Sequence, residues 1–581
     1  MNPAARPEDR ERRTVSSALW AAWGDALGFI TELTDEAGMR RRLGGQPLRE
    51  PVPWTRRIGG KFGVDVILPA GCYSDDTQLR LATGRAVHNQ GFDVEAFAQI
   101  ELPVWPAYAL GGGRASKAAA VSLAKPGTPW FGNTFDGWLD AGGNGVAMRI
   151  QPHVWAASRP GSVGPHLLDV LINGVTTHAH PRALVGAVLH AVGLGVSLET
   201  GRVPPPERWP ELLDMTLQSV KLIDEHPQLS SIWKPTWESA AGVSLDEAWQ
   251  HTVDECRELF DKAASTVKEL QRDDGECLST ARLSAYDSLL ANLELRDPSR
   301  RGSGTSTVVA AMTLAAGLSH EPATAALIAA HAIGSDTDTI ATMAAGIVGA
   351  CGGAEDPVLV LDSSYLSAEA RRLAAIASGT PANSFSYPDL LDWTPPRTQL
   401  DVVGLDEDRP VLAGLGWLRP VEGSQPMTRR DTTWQWMQSD FGASFLVKRR
   451  ESLRPLPGGN RPQRRKRTTD TSNASRSGVD VSMRTMRLSF PEIDDMDTET
   501  INHHRVQRGE HSGDGSTDTS SNHGHRHPRS DVDSMLTWAV KHGLSDQDIG
   551  YAVRRLAEVG TIEQLIALVT ALRAEIRNAS K

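Results

Sequence analysis

Stretches rich in alanine, glycine and leucine, with helical spacing, dominate the chain from about residue 14 to residue 380. Their apolar residues recur at the period of a helix, whereas alternating strand patterns are scarce. Small residues also suit close packing between helices. We therefore predict an all-α domain over residues 14–380. Its clearest predicted helices are Val15–Leu27, Leu167–Ile172, Ala183–Val196, Val308–Ala316 and Thr339–Ala350.

The length of 581 residues exceeds one compact core, so more than one module is expected. Beyond residue 380, tryptophans lie among prolines and glycines, and Gln399–Gly404 and Arg409–Trp417 read as short strands. We predict a small β-rich extension over residues 381–450. Its marker tryptophans are Trp393, Trp417, Trp434 and Trp436.

Residues 451–530 are polar and lack apolar periodicity, which predicts a disordered linker. A basic run over residues 448–467 is either a solvated stretch or a contact for nucleic acid or an acidic protein. Histidines in the linker are a metal-binding composition, but no scaffold fixes their geometry. These histidines are His503, His504, His511, His523, His525 and His527.

The last segment, residues 531–581, regains helical periodicity. Ser545 with Asp548 resembles a helix N-cap, and Gly560 a helix end. We predict two or three small helices that form either a tiny bundle or a module that docks on a partner or self-associates. Its apolar stripe consists of Ile562, Leu565, Val569, Leu572 and Ile576.

The charge and the cysteines narrow the class of protein. A net charge of −11 argues against nucleic-acid binding by the whole surface. Four cysteines without zinc-like or paired spacing indicate reduced thiols rather than a disulfide framework. The stretch Met1–Arg13 is charged, unlike a signal peptide, and the apolar stretches are shorter than a bilayer span. We expect a cytoplasmic protein without a membrane partner.

Two short acidic segments precede predicted helices. The first acidic cluster is Ser74–Thr77, before Gln78–His88, and the second is Asp336–Thr339, before Ile340–Ala350. Helix capping explains either one alone. Yet both hold more carboxylates than a cap needs, and clustered carboxylates repel one another unless protons or cations compensate them. Their oxygen atoms suit Mg²⁺ or Mn²⁺, so two facing clusters predict a binuclear metal site.

Further segments complete a family pattern: Gly24–Gly28 followed by Glu32, the loop Gly142–Arg149, and Thr177-His178 before the helix Pro181–Leu194. Together with the two acidic clusters, in this order, they resemble the ADP-ribosylglycohydrolase family. That family includes the dinitrogenase-reductase-activating glycohydrolase and the hydrolases of ADP-ribosylarginine and ADP-ribosylserine. The resemblance covers residues 14–355.

The resemblance implies an all-α fold with two Mg²⁺ ions in a cleft. The metal ligands that it implies are Ser74, Asp75, Asp76, Asp336, Asp338 and Thr339. The implied contacts to ADP-ribose are Gly111, Gly112, Gly113, Asn144, Gly145 and His178. The backbone amides of a glycine loop can approach a pyrophosphate closely. For His178, a role in core packing or helix capping stays open. Ser74 departs from the threonine that is common there, but it offers the same hydroxyl.

The predicted reaction is hydrolysis of an N- or O-glycosidic bond to ribose, in which Glu32, Asp75 or Asp76 manages the proton of the attacking water. Two other functions stay open: a two-metal phosphohydrolase acting on nucleotides or nucleic acid, and a non-catalytic ADP-ribose-binding scaffold. The acceptor of the ADP-ribose, whether arginine, serine, a nucleobase or a small molecule, also stays open.

Overall fold

The computed structural model describes residues 7–272, 276–463, 532–559 and 562–579. The chain divides into two units, Met1–Met483 and Arg484–Lys581. From residue 464 to residue 530 the predicted linker, including its histidines and the end of its basic run, lies outside the described residues.

The first unit is mainly helical, which confirms the predicted fold class. The helices up to residue 123 are α1 (Pro7–Thr31), α2 (Glu36–Arg42), α3 (Asp75–Ala86), α4 (Val94–Ala96), α5 (Leu102–Val104) and α6 (Arg114–Leu123). Then follow α7 (Gln151–Trp155), α8 (Pro165–Val175), α9 (Pro181–Thr200), α10 (Trp209–Gln218), α11 (Lys221–Glu225), α12 (Lys234–Ala241) and α13 (Leu245–Leu270). The remaining helices are α14 (Thr280–Asn292), α15 (Gly304–Gly317), α16 (Pro322–His331), α17 (Thr337–Gly349) and α18 (Ser363–Ala377).

Helices α1 and α17 form the centre of this domain, and glycines explain how closely they approach. A Cβ atom at Gly24 would lie 2.6 Å from the carbonyl oxygen of Ala341, and one at Gly28 would lie 2.4 Å from Cα of Asp338. Every residue of α17 is buried. The small residues of the Gly24–Gly28 segment are therefore what lets the second acidic cluster lie directly against α1.

A two-stranded hairpin, β1 (Trp54–Ile58) and β2 (Val64–Leu68), lies within the domain that the sequence predicts to be all-α. Trp54, Val66 and Leu68 are buried, and the Trp54 ring packs edge-on against Phe29 of α1, with ring centroids 5.3 Å apart. The hairpin thus rests on the helical core through its apolar face. A second short hairpin consists of β3 (Val87–His88) and β4 (Gly91–Phe92).

A six-stranded antiparallel sheet confirms the predicted β-rich extension. Its strands are β5 (Val403–Asp406), β6 (Arg409–Leu412), β7 (Gly416–Pro420), β8 (Met427–Arg429), β9 (Thr432–Ser439) and β10 (Ser444–Arg450). Their order is β10-β9-β7-β6-β5, and β8 pairs with β9. The predicted strand Gln399–Gly404 is wrong in its first half, because Gln399–Asp401 forms a 3-10 turn.

Residues 399–460, called the β-module below, continue past the predicted boundary at residue 450. Leu405 forms a bridge with Pro455, and the side chain of Asn460 is buried and donates to the carbonyl oxygen of Thr394 at 2.7 Å. The first residues of the basic run therefore belong to strand β10 rather than to a linker. Arg450 of that strand pairs with Asp401 at 2.7 Å.

The described residues of the second unit form three helices, α19 (Val532–Lys541), α20 (Asp546–Val559) and α21 (Ile562–Ala579). Ser545 caps α20 as predicted, since its Oγ accepts from the backbone N–H of Asp548 at 3.3 Å. The predicted stripe divides, because Leu572 is buried whereas Val569 and Ile576 are exposed. The small core consists of Met535, Ala539, Ala552, Leu556, Leu568 and Leu572.

Among the described helices, α9 alone has the length and apolar composition of a membrane span. Most of it is buried inside the helical domain, which is also how a core helix of a soluble protein behaves.

Candidate active site

One cavity of about 810 Å³ is lined by seven carboxylates, and five of them come from three distant segments that the sequence pattern singles out. Glu32 comes from the turn after α1, Asp75 and Asp76 from the first turn of α3, and Asp336 and Asp338 from the start of α17. The structure therefore brings together the two acidic clusters and Glu32, which the sequence predicts to act at one site.

Asp25 of α1 fixes the first acidic cluster in place. Its carboxylate accepts from the backbone N–H groups of Ser74 and Thr77, each at 2.8 Å, and from the Thr77 hydroxyl at 2.6 Å. Asp25 is fully buried and is absent from the cavity lining. It is a structural residue that holds the turn from which Asp75 and Asp76 project.

The second acidic cluster is held by α1 and by the loop Gly142–Arg149. The Thr337 hydroxyl donates to the carbonyl oxygen of Gly28 at 2.9 Å. The side-chain amide of Asn144 donates to Oδ2 of Asp336 at 2.9 Å. Asn144 thus links its own loop to the acidic residues at the start of α17.

Ser74 and Thr339 occupy different positions relative to the cavity. Thr339 lines it, together with Asp338. Ser74 is buried and outside the lining, and its Oγ accepts from the backbone N–H of Asp76 at 3.2 Å. Ser74 therefore performs the capping role considered from the sequence, and its role as a metal ligand stays a prediction.

Burial and mutual repulsion disfavour the ionised forms of these acids. Burial raises the pKa of Asp76 and Asp338 well above the usual range, and neighbouring carboxylates raise it further. Burial and the charge of Asp25 raise the pKa of Asp75 to about 6. Burial raises the pKa of Glu32 to about 7, although the charge of Arg56 opposes this change. The ionised cluster is short of positive charge.

Three basic side chains that sequence reasoning missed compensate part of this charge. Arg56 of β1 lies 3.9 Å from Glu32, and the charge of Lys117 lowers the pKa of Asp75. Arg80 is buried beneath the first cluster and donates to the Thr77 hydroxyl at 3.2 Å. Arg80 lies four residues after Asp76, on the same helix face, so its position was readable from the sequence. No comparable spacing in the sequence predicted that Arg56 of the hairpin would lie at this site.

Two glycine loops, Gly111–Gly113 and the loop around Asn144 and Gly145, line the cavity beside the acidic clusters. Gly111, Gly112 and Gly113 line it just before α6. A Cβ atom at Gly111 would lie 2.1 Å from Oδ1 of Asp75, so only glycine leaves room for that carboxylate. On α6 the hydroxyl of Ser116 lines the cavity and is buried without a hydrogen-bond partner.

The loop around Asn144 and Gly145 is held by hydrogen bonds to the start of α15. The backbone N–H of Asn144 donates to the carbonyl oxygen of Gly302 at 2.9 Å, and that of Gly304 donates to Gly142 at 3.0 Å. Gly302 and Arg301 also line the cavity, and the sequence pattern identified neither of them.

His178 lines the cavity as a neutral imidazole. Burial lowers its pKa to about 3. Arg149 donates to the Thr177 hydroxyl at 2.8 Å, and that hydroxyl lies 2.8 Å from Nδ1 of His178. Since the hydroxyl accepts from Arg149, its own proton is directed either to Nδ1 of His178 or to the carbonyl oxygen of Gly174 at 3.5 Å. In either case His178 is a neutral group that offers one N–H donor and is a poor base.

Comparison with known proteins agrees with this geometry. The family model described as ADP-ribosylglycohydrolase matches residues 6–361, more than half of the chain. The chain belongs to the ADP-ribosylglycohydrolase family. This membership supports a hydrolase of the ADP-ribosylglycohydrolase type, and the β-module lies beyond the matched residues. Comparison with curated proteins gives no significant match.

One similar solved structure is described as "ADP-ribosylglycohydrolase-related protein complex". Its identity to this chain is 20%, and its TM-score is 0.37. The match covers 64% of this chain and 99% of the other.

The donor chemistry of the cavity fits a hard divalent cation. Oδ2 of Asp76 is buried without a hydrogen-bond partner, and the clustered carboxylates outnumber the cations near them. Among the described residues, however, no three acidic, histidine or cysteine side chains already lie close enough to form a metal cluster. The metal ligands therefore remain predictions, and the side chains would have to draw together around an ion.

Proposed function

We propose that this protein hydrolyses the glycosidic bond between ADP-ribose and an acceptor, in a reaction that depends on Mg²⁺. The observation that carries the proposal is the convergence of Glu32, the first acidic cluster and the second acidic cluster on one cavity that also contains Asn144 and His178. Family membership supports the same class of reaction.

Neutral and basic donors on the glycine-loop side suit the pyrophosphate of ADP-ribose. The first turn of α6 lines the cavity, together with Lys117 and the unpartnered hydroxyl of Ser116. A helix N-terminus of this kind favours phosphate oxygens. His178 adds an N–H donor without a full charge, which is suited to a ribose or phosphate oxygen.

Two Mg²⁺ ions bound between the acidic clusters would supply positive charge that orients the ribose hydroxyls and stabilises charge developing at the anomeric carbon. The residues that would hold them are Asp75, Asp76, Asp336, Asp338 and Thr339. Ser74 lies outside the cavity lining and caps the helix that carries Asp75 and Asp76. Glu32 comes from neither helix start, and in the protein without metal its pKa of about 7 is that of a group that can take up a proton from water near neutral pH.

The proposal is tested with the full-length protein, Mg²⁺ and a panel of ADP-ribosylated arginine, serine, DNA and RNA substrates. Release of free ADP-ribose from any of them supports it, and a chelator should abolish the release. Release of inorganic phosphate or cut strands instead would indicate a phosphohydrolase. Binding of free ADP-ribose without turnover of any panel member would indicate a scaffold.

Substitutions in the second acidic cluster test the role of the metal. Asp336→Asn and Asp338→Asn should each reduce both Mg²⁺ uptake, measured by calorimetry, and the rate of hydrolysis. Glu258→Asn, on the exposed face of α13, is the control and should change neither. Unchanged hydrolysis in the two aspartate variants would contradict the role proposed for these residues.

A further inference from the structure

The β-module lies outside the residues matched by the family model, yet it contacts the helical domain at three places. Each of three contacts reaches a segment that supplies a wall of the cavity. No residue of the β-module takes part in the reaction proposed above.

The first contact holds the hairpin β1–β2 at its turn and along β2. Nη1 of Arg429 donates to the carbonyl oxygen of Gly63 at 2.8 Å, and the indole N–H of Trp436 donates to that of Ile67 at 3.3 Å. The Trp434 ring covers Gly59, where a Cβ atom would lie 2.8 Å from Cζ2. Arg56, on the first strand of this hairpin, faces the cavity and Glu32.

The second contact lies behind the glycine loop. The ring of Phe445 packs on that of Tyr108, with centroids 4.5 Å apart. The carbonyl oxygen of Tyr108 accepts from the side chain of Gln78 at 3.1 Å, and Gln78 in turn accepts from the backbone N–H of Leu110 at 3.1 Å. Phe445 therefore supports the backbone that leads into Gly111.

The third contact lies behind the first acidic cluster. Asp362 accepts from the backbone N–H and the hydroxyl of Ser444, at 2.6 and 2.7 Å. It also accepts from the hydroxyl of Tyr73 at 3.1 Å, and Tyr73 immediately precedes Ser74. Asp362 has a left-handed backbone with φ of 55°, a strained conformation that this set of hydrogen bonds stabilises.

We propose that the β-module is a positioning element of the active site, which holds the hairpin so that Arg56 stays beside Glu32. Arg429 and Trp436 are the positioning residues, and they act through Arg56. An isolated two-stranded hairpin is marginally stable. Arg429 holds its turn at Gly63, beyond the strand residues buried in the helical core, and Trp436 holds β2 at Ile67, next to Val66, the residue that pairs with Arg56. The effect on hydrolysis rests on the function proposed above, whereas the effect on the hairpin does not.

The experiment compares Arg429→Ala and Trp436→Phe in the full-length protein. Trp436→Phe removes the indole N–H and keeps an aromatic ring. Each lost hydrogen bond should raise KM about fivefold for whichever panel substrate is hydrolysed, and kcat should change less. Arg429→Lys keeps a donor and should recover most of the loss. Arg409→Ala, on β6 away from the hairpin, is the matched control and should behave as the wild type.

A double-mutant cycle with Arg56→Ala identifies the route of the effect. Trp436→Phe should add little to the loss that Arg56→Ala already causes, because both changes remove the same positioned guanidinium. Fully additive losses would overturn the proposal.

Hydrogen exchange provides a readout that does not depend on activity. The amides of residues 54–68 should exchange faster in Arg429→Ala and Trp436→Phe than in Arg409→Ala. Equal exchange in all three variants would overturn the proposal. Faster exchange in a protein that hydrolyses no member of the panel would keep the positioning role and reject the proposed function.

Discussion

The side-chain amide of Asn144 donates a hydrogen bond of 2.9 Å to Oδ2 of Asp336. Two segments separated by 192 residues in the sequence are thereby joined inside the cavity. The bond leaves the other oxygen of Asp336 available to a ligand and fixes the direction in which this carboxylate points. Asn144 is thus both a candidate substrate contact and a support for the second acidic cluster.

Asn144→Asp should impair hydrolysis more than Asn144→Ala. The alanine variant loses one donor, whereas the aspartate variant places a second carboxylate against Asp336, and like charges at hydrogen-bond distance repel strongly. We expect kcat/KM to fall at least tenfold in the aspartate variant, beyond the loss in the alanine variant. Steady-state hydrolysis measures this, with the exposed Asn292→Ala as the control. An equal effect of both changes would indicate that Asp336 does not depend on this amide.

Gly111→Ala should reduce activity far more than Gly113→Ala. A Cβ atom at Gly111 would lie 2.1 Å from Oδ1 of Asp75, so the carboxylate must move, whereas a Cβ atom at Gly113 meets nothing within 4 Å. A displacement of about 1 Å in a catalytic group can cost roughly a hundredfold in rate. Rates of hydrolysis and melting temperatures of both variants test this. A Gly111→Ala protein with wild-type activity would show that the position of Asp75 is not critical.

The acidic part of the site was predictable because its signal is local. Asp75 with Asp76, and Asp336 with Asp338, are adjacent or nearly adjacent in the sequence and lie at helix starts, where spacing alone shows an excess of carboxylates. The helices were predictable for a similar reason, since their period is set by the residues themselves.

The basic part of the site was not predictable in the same way. Arg56 lies in the strand Trp54–Ile58, where two adjacent arginines interrupt any alternating pattern, and the buried Trp54 forms the hairpin's contact with α1. Its place beside Glu32 depends on how the hairpin rests on the helical core and on the β-module. Such tertiary contacts leave no period in the sequence.

Thr177→Val should weaken substrate binding through His178. The change removes the hydroxyl that lies 2.8 Å from Nδ1 of His178 and that accepts from Arg149. Without it the imidazole is free to rotate and to change tautomer, so we expect KM to rise about fivefold. The matched control is Thr176→Val, which removes a buried hydroxyl bonded to the carbonyl oxygen of Asn173. Both variants should melt at lower temperature, and a rise in KM in both would contradict the specific role of Thr177.

The stability of the metal-free protein should decrease as the pH rises through neutrality. Asp75 and Glu32 have folded-state pKa values of about 6 and about 7, above their ordinary values of 3.8 and 4.5. A group whose pKa is raised on folding stabilises the protein fully below its ordinary pKa and loses that contribution as the pH passes its folded-state pKa. With a chelator present, the melting temperature should therefore fall between about pH 6.5 and about pH 8. Below this range the buried histidines oppose the fall, because burial lowers the pKa of His178 and His190 from 6.5 to about 3 and such groups stabilise the protein more as the pH rises.

Mg²⁺ should reverse this fall, because a cation binds the ionised carboxylates and offsets their repulsion. The rise in melting temperature on adding Mg²⁺ should be larger at about pH 8 than at about pH 5. Replacing two of the titrating groups, with Asp75→Asn and Glu32→Gln, should reduce the pH dependence and the effect of Mg²⁺, whereas Glu258→Gln on an exposed helix face should leave both unchanged. If the wild-type protein with chelator melted at the same temperatures as the double variant across this pH range, these two carboxylates would already be compensated within the protein.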